Sequence, residues 1–115
     1  MIVRVWTTDV APGREEDYLQ FANSASLEMF LDQRGCLGVL FLRGAGPAHA
    51  VCSFWSDAAA VDAFNRSARY AATVRNILAT EALAGDQTVT TYDVEGGDLT
   101  PLFHANFSRL DRRGT

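Results

Sequence analysis

Residues 36–57, CLGVLFLRGAGPAHAVCSFWSD, decide the fold. Cys36 to Arg43 is an almost continuous apolar run, the pattern of a strand buried on both faces. Gly44-Ala45-Gly46-Pro47 is turn chemistry, and Ala48 to Trp55 returns as the partner strand. Ser56 or Asp57 then offers an N-cap, and Ala60, Val61 and Phe64 recur at helical spacing behind it. Gly38, inside the first run, is a weak point in a strand unless backbone or ligand approaches it closely.

Working outward, Ile2 to Val10 reads as a strand with large groups on both faces, closed by Ala11-Pro12-Gly13. Arg14 to Gln33 reads as one helix. Glu15, Glu16 and Asp17 crowd its N-terminus, where the macrodipole favours acids, and Tyr18, Phe21, Ala22, Ala25 and Met29 form its apolar stripe, with Phe30 beside it. Gly35 is the expected C-terminal cap. After the hairpin, Asn65-Arg66-Ser67 breaks the second helical stretch. Tyr70, Val74, Ile77 and Leu78 then continue it, Gly85 is expected to end it, and residues 87–94 form the last strand.

The order strand, helix, strand, strand, helix, strand is the ferredoxin-like βαββαβ plan: an α+β fold with a four-stranded antiparallel sheet. The domain is expected over residues 1–97. Residues 98–115 form a tail in which Thr100-Pro101 can start a helix and Phe103, Phe107 and Leu110 make an apolar stripe. That stripe predicts docking of residues 98–110 on a partner subunit or over a pocket entrance, with residues 111–115 mobile; a wholly disordered tail is the alternative.

The chain has 115 residues and a net charge of −4, with no Lys/Arg cluster inside the predicted elements. The electrostatic footprint of a nucleic-acid binder is therefore missing. Arg109, Arg112 and Arg113 form a basic knot only at the end. No apolar run approaches the ~20 residues of a membrane span, and Met1 to Trp6 lacks a signal-peptide pattern, so the expected location is cytoplasmic. In the hairpin register Cys36 lies about 13 Å from the residue opposite Cys52, too far for a disulfide. No His, Asp, Glu or Cys grouping has metal-ligand spacing, and Gly44 and Gly46 belong to a hairpin turn rather than a phosphate loop.

Two helices cover one face of a four-stranded sheet. Arg4, Trp6, Leu40, Leu42, His49 and Val51 are not a solvated set, so a second sheet is expected across them. Pairing of two identical sheets about a two-fold axis is the simplest cover, which predicts a homodimer.

Three segments then resemble the antibiotic biosynthesis monooxygenase family of dimeric α/β barrels: Val10 to Tyr18 (VAPGREEDY), Arg34 to Leu40 (RGCLGVL), and Phe54 to Phe64 (FWSDAAAVDAF) with Ser67 and Tyr70 beyond. The likeness spans about residues 1–96. It implies chemistry ranging from cofactor-free oxidation of polycyclic phenols to haem degradation. The Asn, Trp and His that hold haem in the degrading branch correspond to Trp6, Phe64 and Val74, which argues against haem. The Asn, Trp, Tyr and Arg implicated in the phenol-oxidising branch correspond to Val51, Trp55, Val61 and Arg75, so the Trp and Arg remain and the Asn and Tyr do not.

The resulting expectation is a cofactor-independent monooxygenase of secondary metabolism acting on an aromatic or polyketide-type molecule, with no metal. A cofactor-free oxygenase needs a dry pocket, a proton acceptor and a positive group for a developing oxyanion. His49 is the candidate base. Arg4 or Arg75 is the candidate positive group, Arg4 having an intersubunit ion pair as its other reading, and Trp55 is the candidate catalytic ring. Trp6, Tyr70, Phe64 and Val51 are expected to contact substrate. A non-catalytic ligand-binding or accessory protein, or a cyclase or isomerase on the same scaffold, are the alternatives.

Overall fold

The computed structural model describes residues 1–105 and residue 110. Strand β1 (Ile2–Val10) is followed by helix α1 (Glu15–Phe21), a π-helical segment (Ala22–Ser26) and helix α2 (Leu27–Leu31). The hairpin β2 (Cys36–Arg43) and β3 (Ala48–Trp55) comes next. Helices α3 (Ala58–Asn65) and α4 (Ala68–Ala79), strand β4 (Leu83–Asp93) and a short helix α5 (Thr100–His104) complete the order.

The sheet order is β2-β3-β1-β4, with every neighbouring pair antiparallel. This is the ferredoxin-like α+β fold. Within one chain the sheet is open, with β2 and β4 as its edges.

Local chemistry sets most boundaries. Asp57 accepts the Ala60 N–H at 2.8 Å to cap α3, and Ser67 accepts the Tyr70 N–H at 3.0 Å to cap α4. Cys36 pairs with Trp55 and Gly38 with Phe54, so Leu37 is the extra residue of a bulge, and Gly38 lies beside it. Cys52 pairs with Leu40, and both cysteines are free thiols.

Four expectations change. Gly85 does not end a helix: α4 stops at Ala79 and β4 begins at Leu83, with Gly85 at φ 71° inside it, where the register against β1 shifts between Thr7 and Asp9. A Gly with positive φ serves a bulge as readily as a helix cap. The long helix is not uniform, because the π segment slips the stripe: Ala25 is exposed and Ser26 turns inward. The sheet faces also sort differently. Arg4, Trp6, His49 and Val51 lie on the helix-covered face, whereas Leu40 and Leu42 alternate to the other, with Val3, Val5, Cys52, Phe54 and Tyr92. Arg4 therefore does not sit on the open face, and the intersubunit ion pair loses its basis.

The core lies between sheet and helices in two clusters. One joins Met29, Phe30, Val51, Trp55, Val61 and Phe64; the other joins Val10, Tyr18, Ile77 and Ala82. Trp6 packs against both. In the tail, Leu99, Leu102 and Phe103 are exposed on the single chain, Phe103 to 70%. Phe107, Arg109, Arg112 and Arg113 lie outside the described residues.

Gly35 has φ 82°, and a Cβ there would stand 2.5 Å from the Ala60 Cβ. Gly35→Ala is expected to lower unfolding free energy by about 2 kcal/mol or more, combining left-handed backbone strain with a clash. Gly38→Ala meets nothing within 4 Å and should stay within about 0.5 kcal/mol of wild type in the same denaturant titration.

Candidate functional site

The site grows from Arg4. β1 delivers this side chain into the space beneath the helices, where it is 2% exposed. Its Nε donates to Asn65 Oδ1 at 3.0 Å and its Nη2 to the Tyr70 hydroxyl at 2.9 Å. Asn65 is the last residue of α3 and Tyr70 lies in the first turn of α4, so the break between these helices places both partners. The guanidinium carbon sits 4.9 Å from the Phe64 ring centroid and 5.0 Å from that of Tyr70.

No carboxylate among the described residues pairs with Arg4; the ion pairs there are Arg14 with Asp17 and Arg69 with Asp32. Burying an unpaired cation is costly. Two ring faces and two charge-assisted hydrogen bonds offset part of that cost, the former by roughly 1–2 kcal/mol each when desolvated. Of the five N–H donors a guanidinium carries, two are taken by Asn65 and Tyr70. The site is electropositive and short of acceptors.

Arg4 lines a cavity with about 50 Å³ of free space, between β1, β2 and β3 on one side and the helices on the other. That is room for a few water molecules. Trp6, Phe41 and Val51 form its sheet wall, and Tyr70, Val74 and Ile77 come from α4. Tyr18, Ala22, Ser26 and Met29 come from the first helical stretch. Ala22 and Ser26 both belong to the π segment. Asn23 Nδ2 donates to the Leu19 carbonyl at 3.0 Å and Ser24 Oγ to the Gln20 carbonyl at 2.7 Å. Short polar side chains thus take over carbonyls that the wider helical turn leaves loose.

Tyr18 is 4% exposed, and its hydroxyl has no hydrogen-bond partner among the described residues. An unpaired buried hydroxyl costs about 1–3 kcal/mol. Burial pushes its pKa up to about 12, which leaves it a neutral donor at any physiological pH and removes it as a base. Its ring meets His49 edge-on, with centroids 5.1 Å apart. His49 Nδ1 lies 2.9 Å from the Pro47 carbonyl. A carbonyl only accepts, so Nδ1 carries the proton and Nε2 is the acceptor.

The structure brings Arg4, Trp6, Val51 and Tyr70 together around the cavity and stacks Phe64 behind Arg4. Trp55 is fully buried in the core, where its Nε1 donates to Ser53 Oγ at 2.8 Å, and does not line the cavity. His49 stands beside Tyr18, outside the lining, and Arg75 is exposed on α4. Sequence reading missed Tyr18, Asn65 and Ser26 as site residues. The run Asn23-Ser24, poor in helix formers within an otherwise helical pattern, was the available signal for the last. Among the described residues no group of three His, Cys, Asp or Glu could hold a metal, and no helix is long and apolar enough to cross a membrane.

Residues 1–76 match the sequence profile of the antibiotic biosynthesis monooxygenase family. A crystal structure of an antibiotic biosynthesis monooxygenase superposes with a TM-score of 0.68 at 18% identity, covering 84% of this chain and 100% of that one. A protein of unknown function from Nitrosomonas europaea gives 0.71 at 19% identity, covering 85% and 92%. A conserved protein from Methanosarcina mazei Go1 gives 0.67 at 19% identity, covering 83% and 94%. At these identities the likeness is one of fold. No curated protein matches the chain. With a profile match over more than half its length, carried by the strand, helix and hairpin that build the cavity, the chain belongs to the antibiotic biosynthesis monooxygenase family.

Proposed function

We propose that the protein is a cofactor-independent monooxygenase of secondary metabolism that oxidises an aromatic or polyketide-type small molecule in the cavity beneath its helices. The observation that carries this reading is Arg4: a buried guanidinium with no carboxylate partner among the described residues, on the wall of an otherwise apolar cavity. A group placed this way favours a ligand that brings its own negative charge. Trp6, Val51 and Tyr70 supply the walls, Phe64 supports the guanidinium from behind, and no contact with substrate is assigned to Trp55 or Arg75.

In this reading a phenolic substrate such as an anthrone loses a proton from its methylene carbon. The negative charge spreads to the ring oxygen, which Arg4 stabilises, and the carbanion reduces O2. One oxygen atom stays on carbon as a new carbonyl and the other leaves as water, so methylene plus O2 becomes carbonyl plus water. The substrate supplies all the electrons. His49, beside Tyr18 and not itself lining the cavity, is the base assigned here, reaching the methylene proton through an intervening water. The alternative readings, a non-catalytic ligand-binding protein or a cyclase or isomerase, draw on Val51 and Val61, which replace the Asn and Tyr of the phenol-oxidising branch.

The reading includes a homodimer. The helix-free face of the sheet carries Val3, Val5, Leu40, Cys52 and Phe54, with Leu42 46% and Tyr92 57% exposed. A second copy of the same face is the cover of matching chemistry. Light scattering should give about twice the 12.5 kDa of the chain; a 12.5 kDa particle would remove the dimer from the reading.

Aerobic and anaerobic turnover of an anthrone separates the three functions. The proposal expects quinone formation with stoichiometric O2 uptake. Binding without turnover points to an accessory protein, and conversion without O2 to a cyclase or isomerase. Arg4→Met keeps the volume and removes the charge. It should lower kcat by about 10²–10³, while thermal stability stays level or rises because an unpaired buried charge is gone. Undiminished turnover in Arg4→Met would overturn the role of Arg4.

A further inference from the structure

The role proposed for Arg4 leaves the Tyr18 hydroxyl unexplained. This side chain lines the same cavity, is almost fully buried, and has no hydrogen-bond partner among the described residues. A Phe would fill the place equally well and set the same ring edge against His49, without a sealed, unsatisfied polar atom. A buried donor kept at this cost points to a partner that arrives from outside the chain.

Register sets the two residues against different levels of the sheet. Arg4 pairs with Ser53, whereas His49, which the Tyr18 ring touches, pairs with Thr8. Four residues along β1 separate these points, about 13 Å at the strand rise. Trp6 lies between and packs against both core clusters. The cavity thus has Arg4 and Tyr18 on a largely apolar lining. Both groups can donate: a guanidinium carries N–H groups and no acceptor, and a neutral phenol carries an O–H. The complementary molecule is flat and largely apolar, with an ionised oxygen for Arg4 and a carbonyl oxygen for Tyr18.

We propose that Tyr18 is the second anchor of the cavity, its hydroxyl donating to a carbonyl oxygen of a fused-ring hydroxyquinone or related vinylogous acid whose ionised oxygen lies on Arg4. This rests on the reading of the cavity as an aromatic-anion site and adds a second anchor and the ligand's orientation. The free space holds only a few water molecules, so a two-ring ligand displaces a wall. Ala22 and Ser26 of the π segment, small residues on the least regular backbone of the lining, are the wall that yields.

The test uses the full chain and two probes. 2-Hydroxy-1,4-naphthoquinone is ionised at neutral pH and carries, on the same ring, a carbonyl conjugated with the ionised oxygen; 2-naphthoate has the rings and the anion but no ring carbonyl. Both should bind wild type and weaken together in Arg4→Met. Tyr18→Phe should weaken the hydroxyquinone about tenfold, leave 2-naphthoate within about twofold, and melt at the same temperature as wild type or higher. If Tyr18→Phe affects the two probes equally, or neither, the Tyr18 assignment is wrong while the cavity reading stands. A lower melting temperature would show that the hydroxyl serves the fold, which also overturns the assignment. If neither probe binds wild type, the aromatic-anion reading fails and takes this one with it.

Discussion

The guanidinium of Arg4 is buried between two aromatic rings with only neutral hydrogen-bond partners among the described residues. A charge in that position constrains everything around it, because each neighbour must offset part of its desolvation. The break between α3 and α4 is the clearest response. A continuous helix would carry Asn65 and Tyr70 past one another, whereas the Ser67 cap restarts the helix so that the end of one and the first turn of the next converge on a single side chain. Phe64, one residue before Asn65, provides a ring face from the same turn. Three features of the second helical stretch thus answer to one residue of the first strand.

The cavity around this charge sits on a rigid scaffold. Trp55 and Ser53 are fully buried and bonded to one another, and Ser53 Oγ also lies 3.4 Å from the Arg4 carbonyl. The backbone that presents Arg4 is therefore clamped from β3, while the opposite wall contains a π segment with its carbonyls shared among side chains. One side of the cavity is fixed and the other is adaptable. That division suits a site that holds a charge in place and admits a molecule larger than its resting volume.

Much of the fold was legible because it is written in local chemistry. Turn residues at Gly44 to Pro47, an Asp cap, a Ser cap and period-two or period-3.6 apolar spacing are short-range signals, and they fall where the elements do. What escaped was phase and partnership. Both faces of β1 are apolar, so alternation alone did not say which one the helices cover, and Arg4 and Leu40 were placed together although they point apart. A single π turn shifts the stripe from Ala25 to Ser26, an insertion no apolar count reveals. At Gly85 a positive-φ glycine after a helix reads as a cap, while the bulge depends on pairing with β1 far earlier in the chain. Of the candidate site, Arg4, Trp6, Val51 and Tyr70 were visible as unusual residues at suggestive positions. The Arg4 contact with Asn65, 61 residues away, and the lack of a partner for the Tyr18 hydroxyl among the described residues have no signature in one dimension.

The central claim is that the two donors of this cavity are held for a ligand rather than for the fold. A crystal structure of the protein with 2-hydroxy-1,4-naphthoquinone measures this most directly. The account predicts the ionised oxygen within hydrogen-bond distance of Arg4 and a carbonyl oxygen within hydrogen-bond distance of the Tyr18 hydroxyl, with the π segment displaced outward. Density for the quinone only on the open face of the sheet, or in the cavity with neither donor engaged, would contradict it.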